Sequence, residues 1–172
     1  VTITGSPLLD GKVWENKGTL DITGDGRLSF TNGATLNNED NATLTLAGTY
    51  SYPLSYSSSG AGGNIFNNYG TLTKTSTTGQ DLSINGTINN TGTINLGKDT
   101  GTLSVSGSLS TPGAIEIASG ATFKKSGGFT NAGTIGGTGM VDVGTGNTLT
   151  NTGTLRPGAT SGDTTGTLSI TG

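Results

Sequence analysis

The sequence predicts an all-β fold: a parallel β-helix, or solenoid, with three short strands per coil of about 20–22 residues. Three observations carry this. Gly, Thr, Ser and Asn make up more than half of the 172 residues, and only 29% are hydrophobic. All four are poor in helix interiors, while Thr, Ile, Val and Leu are plentiful and Pro is rare, which favours strands and turns over disorder. Second, Gly–Thr–apolar triplets recur in series at Gly70-Thr71-Leu72, Gly92-Thr93-Ile94, Gly113-Ala114-Ile115, Gly133-Thr134-Ile135 and Gly153-Thr154-Leu155, in steps of 22, 21, 20 and 20 residues. Third, the runs around them alternate with period two. Ile94 and Leu96 share one parity against Thr93 and Asn95, Leu103 and Val105 alternate with Ser104 and Ser106, and Ile115 and Ile117 flank Glu116, as strands with one buried face do.

The elements follow in order. The chain reads as one β-helix segment, 1–172, of a longer chain, with irregular coils over 1–65 and regular coils over 66–172. In the first part Asn16-Lys17-Gly18-Thr19-Leu20 matches the repeat, and Gly33-Ala34-Thr35-Leu36 and Asn41-Ala42-Thr43-Leu44 match it partially. The excess length is placed in an insertion, 49–63, where Tyr50, Tyr52, Leu54 and Tyr56 share a parity and would face one way if extended. From Phe66 on, three apolar anchors recur per period. Leu103, Phe123 and Val143 form one series, and Leu109, Phe129 and Leu149 another. Asn68, Asn90, Asn131 and Asn151, with Thr111 between, stand two residues before the repeat glycines. They are expected to stack as an amide ladder at the turns, with Asn tolerating left-handed backbone and Gly permitting the corner. Both ends are strand-like, Val1-Thr2-Ile3-Thr4 and Leu168-Ser169-Ile170-Thr171, with no polar cap. An expectation follows that the native chain continues, or that its ends stack on copies of themselves.

The function classes narrow by exclusion. His and Cys are absent, which removes triad catalysis and thiolate metal sites. The acids are scattered: Glu116 and Asp142 face outward without acidic neighbours in adjacent coils, so no paired carboxylates are expected and the chain reads as a non-enzyme without cofactor. Residues 21–26 and 37–41 cluster oxygen ligands but match no calcium-loop pattern, and read as solvated turns. Net charge is −3 and the densest basic cluster is Lys124-Lys125, so no nucleic-acid partner is expected. No apolar run approaches the roughly 18 residues of a membrane helix, so no membrane insertion of this segment is expected. Asn41, Asn85 and Asn89 begin Asn-x-Thr sequons whose use depends on the host. Thr-x-Thr pairs at Thr43/Thr45, Thr71/Thr73, Thr91/Thr93 and Thr148/Thr150 are not expected to recur at one phase, which argues against a regular ice-ordering face. Tyr50, Tyr52 and Tyr56 are the candidate partner-binding residues, since Tyr is favoured at interfaces; Trp14 is assigned to core or cap.

The segments FNNYGTLTK, INNTGTINLGKDTGTLSVSG and FTNAGTIGGTG resemble repeats of large secreted bacterial surface proteins, the autotransporter passengers and filamentous-haemagglutinin-like adhesins. The closing stretch, through Pro157-Gly158 and Gly166-Thr167-Leu168, is similar to a motif common late in such passengers. The resemblance covers residues 66–172 well and 1–65 weakly. It implies a right-handed parallel β-helix, secreted to the bacterial cell surface and serving as an extracellular stalk or adhesin segment, with a host-cell or surface glycan or protein receptor as partner. The alternative is a self-assembling filament or matrix subunit that stacks end to end.

Overall fold

The computed structural model describes residues 1–158 and 165–172. The chain winds into a parallel β-solenoid of about seven turns, with three strands per coil and no helix among the described residues. Part of the closing motif, 159–164, lies outside the described residues. Sheet A stacks eight strands from Thr2–Ile3 to Thr154–Pro157, and sheet B stacks eight from Leu8–Asp10 to Ser169–Thr171. Sheet C holds five, from Val13–Asn16 to Ser108–Ser110, and Phe129–Asn131 pairs with Leu149–Asn151 in a separate ribbon. Each strand hydrogen-bonds to its counterpart one coil away, so eight strands at ~4.8 Å give a rod of about 34 Å along its axis.

The alternating pattern sends one parity inward. Leu20, Leu44, Leu72, Ile94, Ile115 and Ile135 stack in register on sheet A and are fully buried. Phe30, Phe66 and Phe123 are the largest apolar side chains in the column, and Phe123 meets Phe129 edge to face at 5.9 Å between centroids. Trp14 lies opposite Leu36 and packs, half-buried, against this core.

Register differs from the sequence reading at four places. Ala42-Thr43-Leu44 belongs to the triplet series on sheet A, whereas Thr35-Leu36 lies on sheet C. Phe123 pairs with Val141, not Val143, because the coil there is 18 residues long. Residues 49–63 are not one insertion: Leu54–Tyr56 is a rung of sheet B, paired with Leu28–Thr31 and Gln80–Ser83. Leu54 is fully buried, and the extra length sits in the two corners around it, 47–53 and 57–63. Finally, Thr19, Thr43, Thr71, Thr93, Thr134 and Thr154 do recur at one phase, interrupted by Ala114. The neighbouring file carries Asp21, Glu116 and Arg156, so a paired threonine lattice spans only the coils of Thr43/Thr45 and Thr71/Thr73.

The Asn-x-Gly-Thr signature has a packing cause. None of Gly70, Gly92, Gly113, Gly133 or Gly153 has positive φ. A Cβ on Gly113 would lie 2.2 Å from the carbonyl oxygen of Gly92, and one on Gly133 1.9 Å from that of Gly113. These glycines are required because each corner crosses directly over the one below. The left-handed positions are elsewhere, at other glycines and, among non-glycine residues, at Asn32, Asn41, Asn85 and Asp99. The asparagines two residues earlier turn inward and are buried, save Asn151 in the last of these strands, which is exposed. Asn16 donates to Asn38 (2.7 Å), Asn38 to Asn68 (2.8 Å) and Asn68 to Asn90 (2.7 Å). Each also donates to a backbone carbonyl of the coil above, as Asn68 does to Thr93 (3.0 Å). At Thr111 the file is interrupted: its hydroxyl accepts weakly from Asn90 (3.3 Å), and the Oδ1 of Asn131 is buried without a partner. The amide file resumes from Asn131 to Asn151 (2.7 Å). A second, outward file runs Asn89 to Asn67 (2.8 Å) and Asn67 to Asn37 (2.9 Å).

Two predictions follow from this stacking, both read from thermal or denaturant melts. Gly113→Ala lowers stability by about 1–3 kcal/mol through overpacking, whereas Gly18→Ala, with open space around it, is neutral within about 0.5 kcal/mol. Asn68→Ala costs about 1–3 kcal/mol for each buried partner left unpaired, while Thr111→Asn, which supplies a donor for Asn131, raises the midpoint.

Candidate functional site

The candidate site is the groove on the outer face of sheet B where two enlarged corners flank the rung Leu54–Tyr56. Its floor is a file of serines in register: Ser29 pairs with Ser55, and Ser55 with Ser83. The two inner hydroxyls meet at 3.2 Å. Outward serines alternate with the inward Leu28, Leu54 and Leu82, so the floor follows directly from strand periodicity.

The walls come from the two enlarged corners. Corner 47–53 brings Tyr50 and Tyr52 over one side, with their rings edge to face at 6.3 Å. Arg27, just before the strand Leu28–Thr31, places its guanidinium 4.9 Å from the Tyr50 ring centroid and donates to the Tyr50 hydroxyl. This is a cation–π contact reinforced by a hydrogen bond. Corner 57–63 folds back along the other side. Ala61 accepts from the Asn32 backbone N–H (2.7 Å) and donates to the Asn32 side chain (2.8 Å), and Tyr56 donates its hydroxyl to Gly60 (2.5 Å). The overhang explains why Leu28–Thr31 is buried on both parities. The resulting hollow has a volume of ≈ 410 Å³ and is lined by Arg27, Ser29, Tyr50, Tyr52, Ser55, Tyr56, Ser57, Ser58 and Ser83.

All three candidate tyrosines therefore reach one site, though not by sharing a strand face: Tyr50 and Tyr52 are on a corner, and Leu54 lies between them and Tyr56 in the core. Arg27 and the serines were not anticipated. A signal existed for the serines, since Leu28-Ser29, Leu54-Ser55 and Leu82-Ser83 repeat the same dipeptide in successive coils. Asn68, Asn90, Asn131 and Asn151 line no hollow described here and belong to the amide file.

The corner under the tyrosines is held by polar groups inside the rod. Gln80, almost fully buried, donates to the carbonyls of Gly48 (3.1 Å) and Tyr50 (3.3 Å). Lys74 stands in the aliphatic file between Leu46 and Leu96. It is fully buried and donates to the carbonyls of Ser76 (2.5 Å) and Thr78 (2.7 Å). These bonds shape the next corner around the ammonium, yet burial pushes its pKa down to about 8.

Glu116 and Asp142 are each engaged by a basic side chain. Glu116 accepts twice from Arg156 (2.6 and 2.7 Å). Asp142 is bound by Lys124 (2.5 Å) and by the Gly144 N–H, and the Lys124 bond is the main cause holding its carboxyl below the usual range. Among the described residues no three acidic side chains converge on a metal position. In the stretch 21–26, Asp25 accepts from Thr49 (2.7 Å).

The Lys74 geometry sets a pH dependence. An unfolded lysine titrates near ~10.4. Between about 8 and that value the unfolded chain binds more protons than the folded one, so unfolding free energy rises with pH across this window. Denaturant midpoints measured from pH 7 to 10.5 increase, and the rise disappears in Lys74→Met.

Comparison of the chain with family models, with curated proteins and with solved structures finds no match.

Proposed function

We propose that the chain is a segment of an extracellular, non-catalytic stalk of a bacterial surface protein, and that it adheres through the groove on sheet B. The single observation behind this reading is the contrast between a repeating rod and the one hollow that its enlarged corners enclose. The inward aliphatic file and, save at Thr111, the asparagine file repeat from coil to coil, and two enlarged corners close around one Arg- and Tyr-walled hollow. A solenoid gains stability from each added coil, and it holds a surface loop on a rigid support, where binding residues are typically placed. Two enlarged corners around one rung thus separate a display role from a spacer role within one chain.

The test uses the purified chain on beads, presented to animal cells and to a glycan array. Retention that falls in Tyr52→Ala, an exposed residue whose loss leaves the melt unchanged, supports the reading. Retention on neither surface, or retention indifferent to Tyr52, overturns it. Sedimentation velocity of the same sample addresses the alternative. A concentration-independent monomer removes end-to-end assembly, and concentration-dependent growth favours it.

A further inference from the structure

The groove does not end at Ser83. Three hollows lie in series along the outer face of sheet B. The second, ≈ 180 Å³, shares Tyr52 with the first; the third, ≈ 390 Å³, shares Asp81 and Ser104 with the second and reaches Lys124 and Lys125. The strands beneath run from Leu28–Thr31 to Ala121–Lys124. Four coil steps at ~4.8 Å make this a track of about 19 Å parallel to the rod axis.

Cations stand at both ends. Among the described residues no carboxylate lies within ion-pair distance of Arg27, and its Nε is buried without a partner. With one Nη committed to the Tyr50 hydroxyl and Nε shut inside, the remaining guanidinium N–H groups lining the hollow are matched by a carboxylate oxygen through a charge-assisted bond. At the far end Lys124 is committed to Asp142, but Lys125 touches only the carbonyl of Ser126 (3.0 Å). Between them the floor presents hydroxyls, Ser55 and Ser83, then Ser104 and Ser106 in the next coil, and one carboxylate, Asp81, which lines the second and third hollows and accepts from Ser106 (2.7 Å), so the ligand meets the middle of the track with hydroxyls and keeps its acid groups for the two ends. Tyr52 overhangs the junction of the first two hollows. A floor of hydroxyls with an exposed aromatic edge suits a polyhydroxylated ligand. A peptide would seek an apolar anchor pocket or a free strand edge, and the strands under this track are paired on both sides.

We propose that the outer face of sheet B binds a linear, carboxylate-bearing oligosaccharide laid along the rod axis, with one acid group on Arg27 and another at Lys125. This rests on the adhesive reading of the groove and names its ligand class. Sugar hydroxyls bond to the serine file, and a ring packs against Tyr52. Because the track is long and shallow, each sugar contributes modestly, and affinity grows with chain length.

Calorimetry on the full chain tests this with tetramers of galacturonate, guluronate and hyaluronan, their methyl esters, the corresponding monosaccharides and a neutral galactose tetramer. At least one acidic tetramer is expected to bind at least about 10-fold tighter than its ester and its monosaccharide, the factor a single charge-assisted hydrogen bond supplies. Arg27→Gln lowers that affinity about 10-fold or more, and Lys125→Gln weakens the tetramer but not the monosaccharide; matching melts confirm that both variants fold. If esters or the neutral tetramer bind equally well, or Arg27→Gln binds like the parent, the acidic ligand class is overturned while the groove stands. If no saccharide binds but cell retention still depends on Tyr52, the partner is a protein and the proposal fails. If Tyr52→Ala changes neither assay, the adhesive groove itself fails.

Discussion

Every coil must lie about 4.8 Å above the last with its backbone in register. The inward positions of sheet A show the first consequence. Leu20, Leu44, Leu72 and Ile94 occupy the same point on successive turns, so each apolar side chain packs on its own counterpart. A narrow column of this kind needs few hydrophobic residues, which is how a chain with 29% of them buries a continuous core. The second consequence is steric. Where corners cross, as at Gly92, Gly113 and Gly133, no room remains for a Cβ. The third is polar. A buried amide is tolerable only if its neighbour above offers an acceptor and its neighbour below a donor, and repetition supplies both.

Departures from the repeat acquire meaning under the same constraint. Thr111 keeps the core closed but leaves Asn131 with an unfilled oxygen. Lys74 replaces an aliphatic residue in a file of leucines and turns the following corner inward upon its ammonium. Gln80 reaches from one coil to hold the corner of the coil below, and thereby supports Tyr50 from inside the rod. The hollow under Tyr50 thus depends on core residues that do not line it.

The fold was legible in the sequence because stacking makes equivalent residues alike. The Gly–Thr–apolar triplets and the two-residue alternation were enough to define strands, coil length and the inward parity. Less was legible where equivalence breaks. Residues 49–63 looked like one excursion because Tyr50, Tyr52, Leu54 and Tyr56 alternate, yet Leu54 is anchored by Leu28 and Leu82, residues one coil away on either side. Val141 was displaced in the reading by Val143, since a coil shortened to 18 residues cannot be told from a slipped one without its partner strand. Arg27 and Ser29 lie more than twenty residues from Tyr50 and Ser55, and only the winding of the chain brings them together. The role of the repeat asparagines was visible, but not that they point inward, because a turn and a strand end carry the same local composition.

The amide file has one further property. From Asn16 to Asn38, Asn68 and Asn90, every side chain donates in the same direction along the axis. The file is therefore a row of dipoles aligned head to tail, and it gives the core an electrical sense beyond the single charge of the buried Lys74. Within this file each asparagine presents amide hydrogens to the coil above and its amide oxygen to the coil below, opposite in sense to the outward file from Asn89 to Asn37. A neighbouring coil can satisfy them in one orientation only, so the winding of each turn instructs the next, and an inverted turn would meet donor with donor.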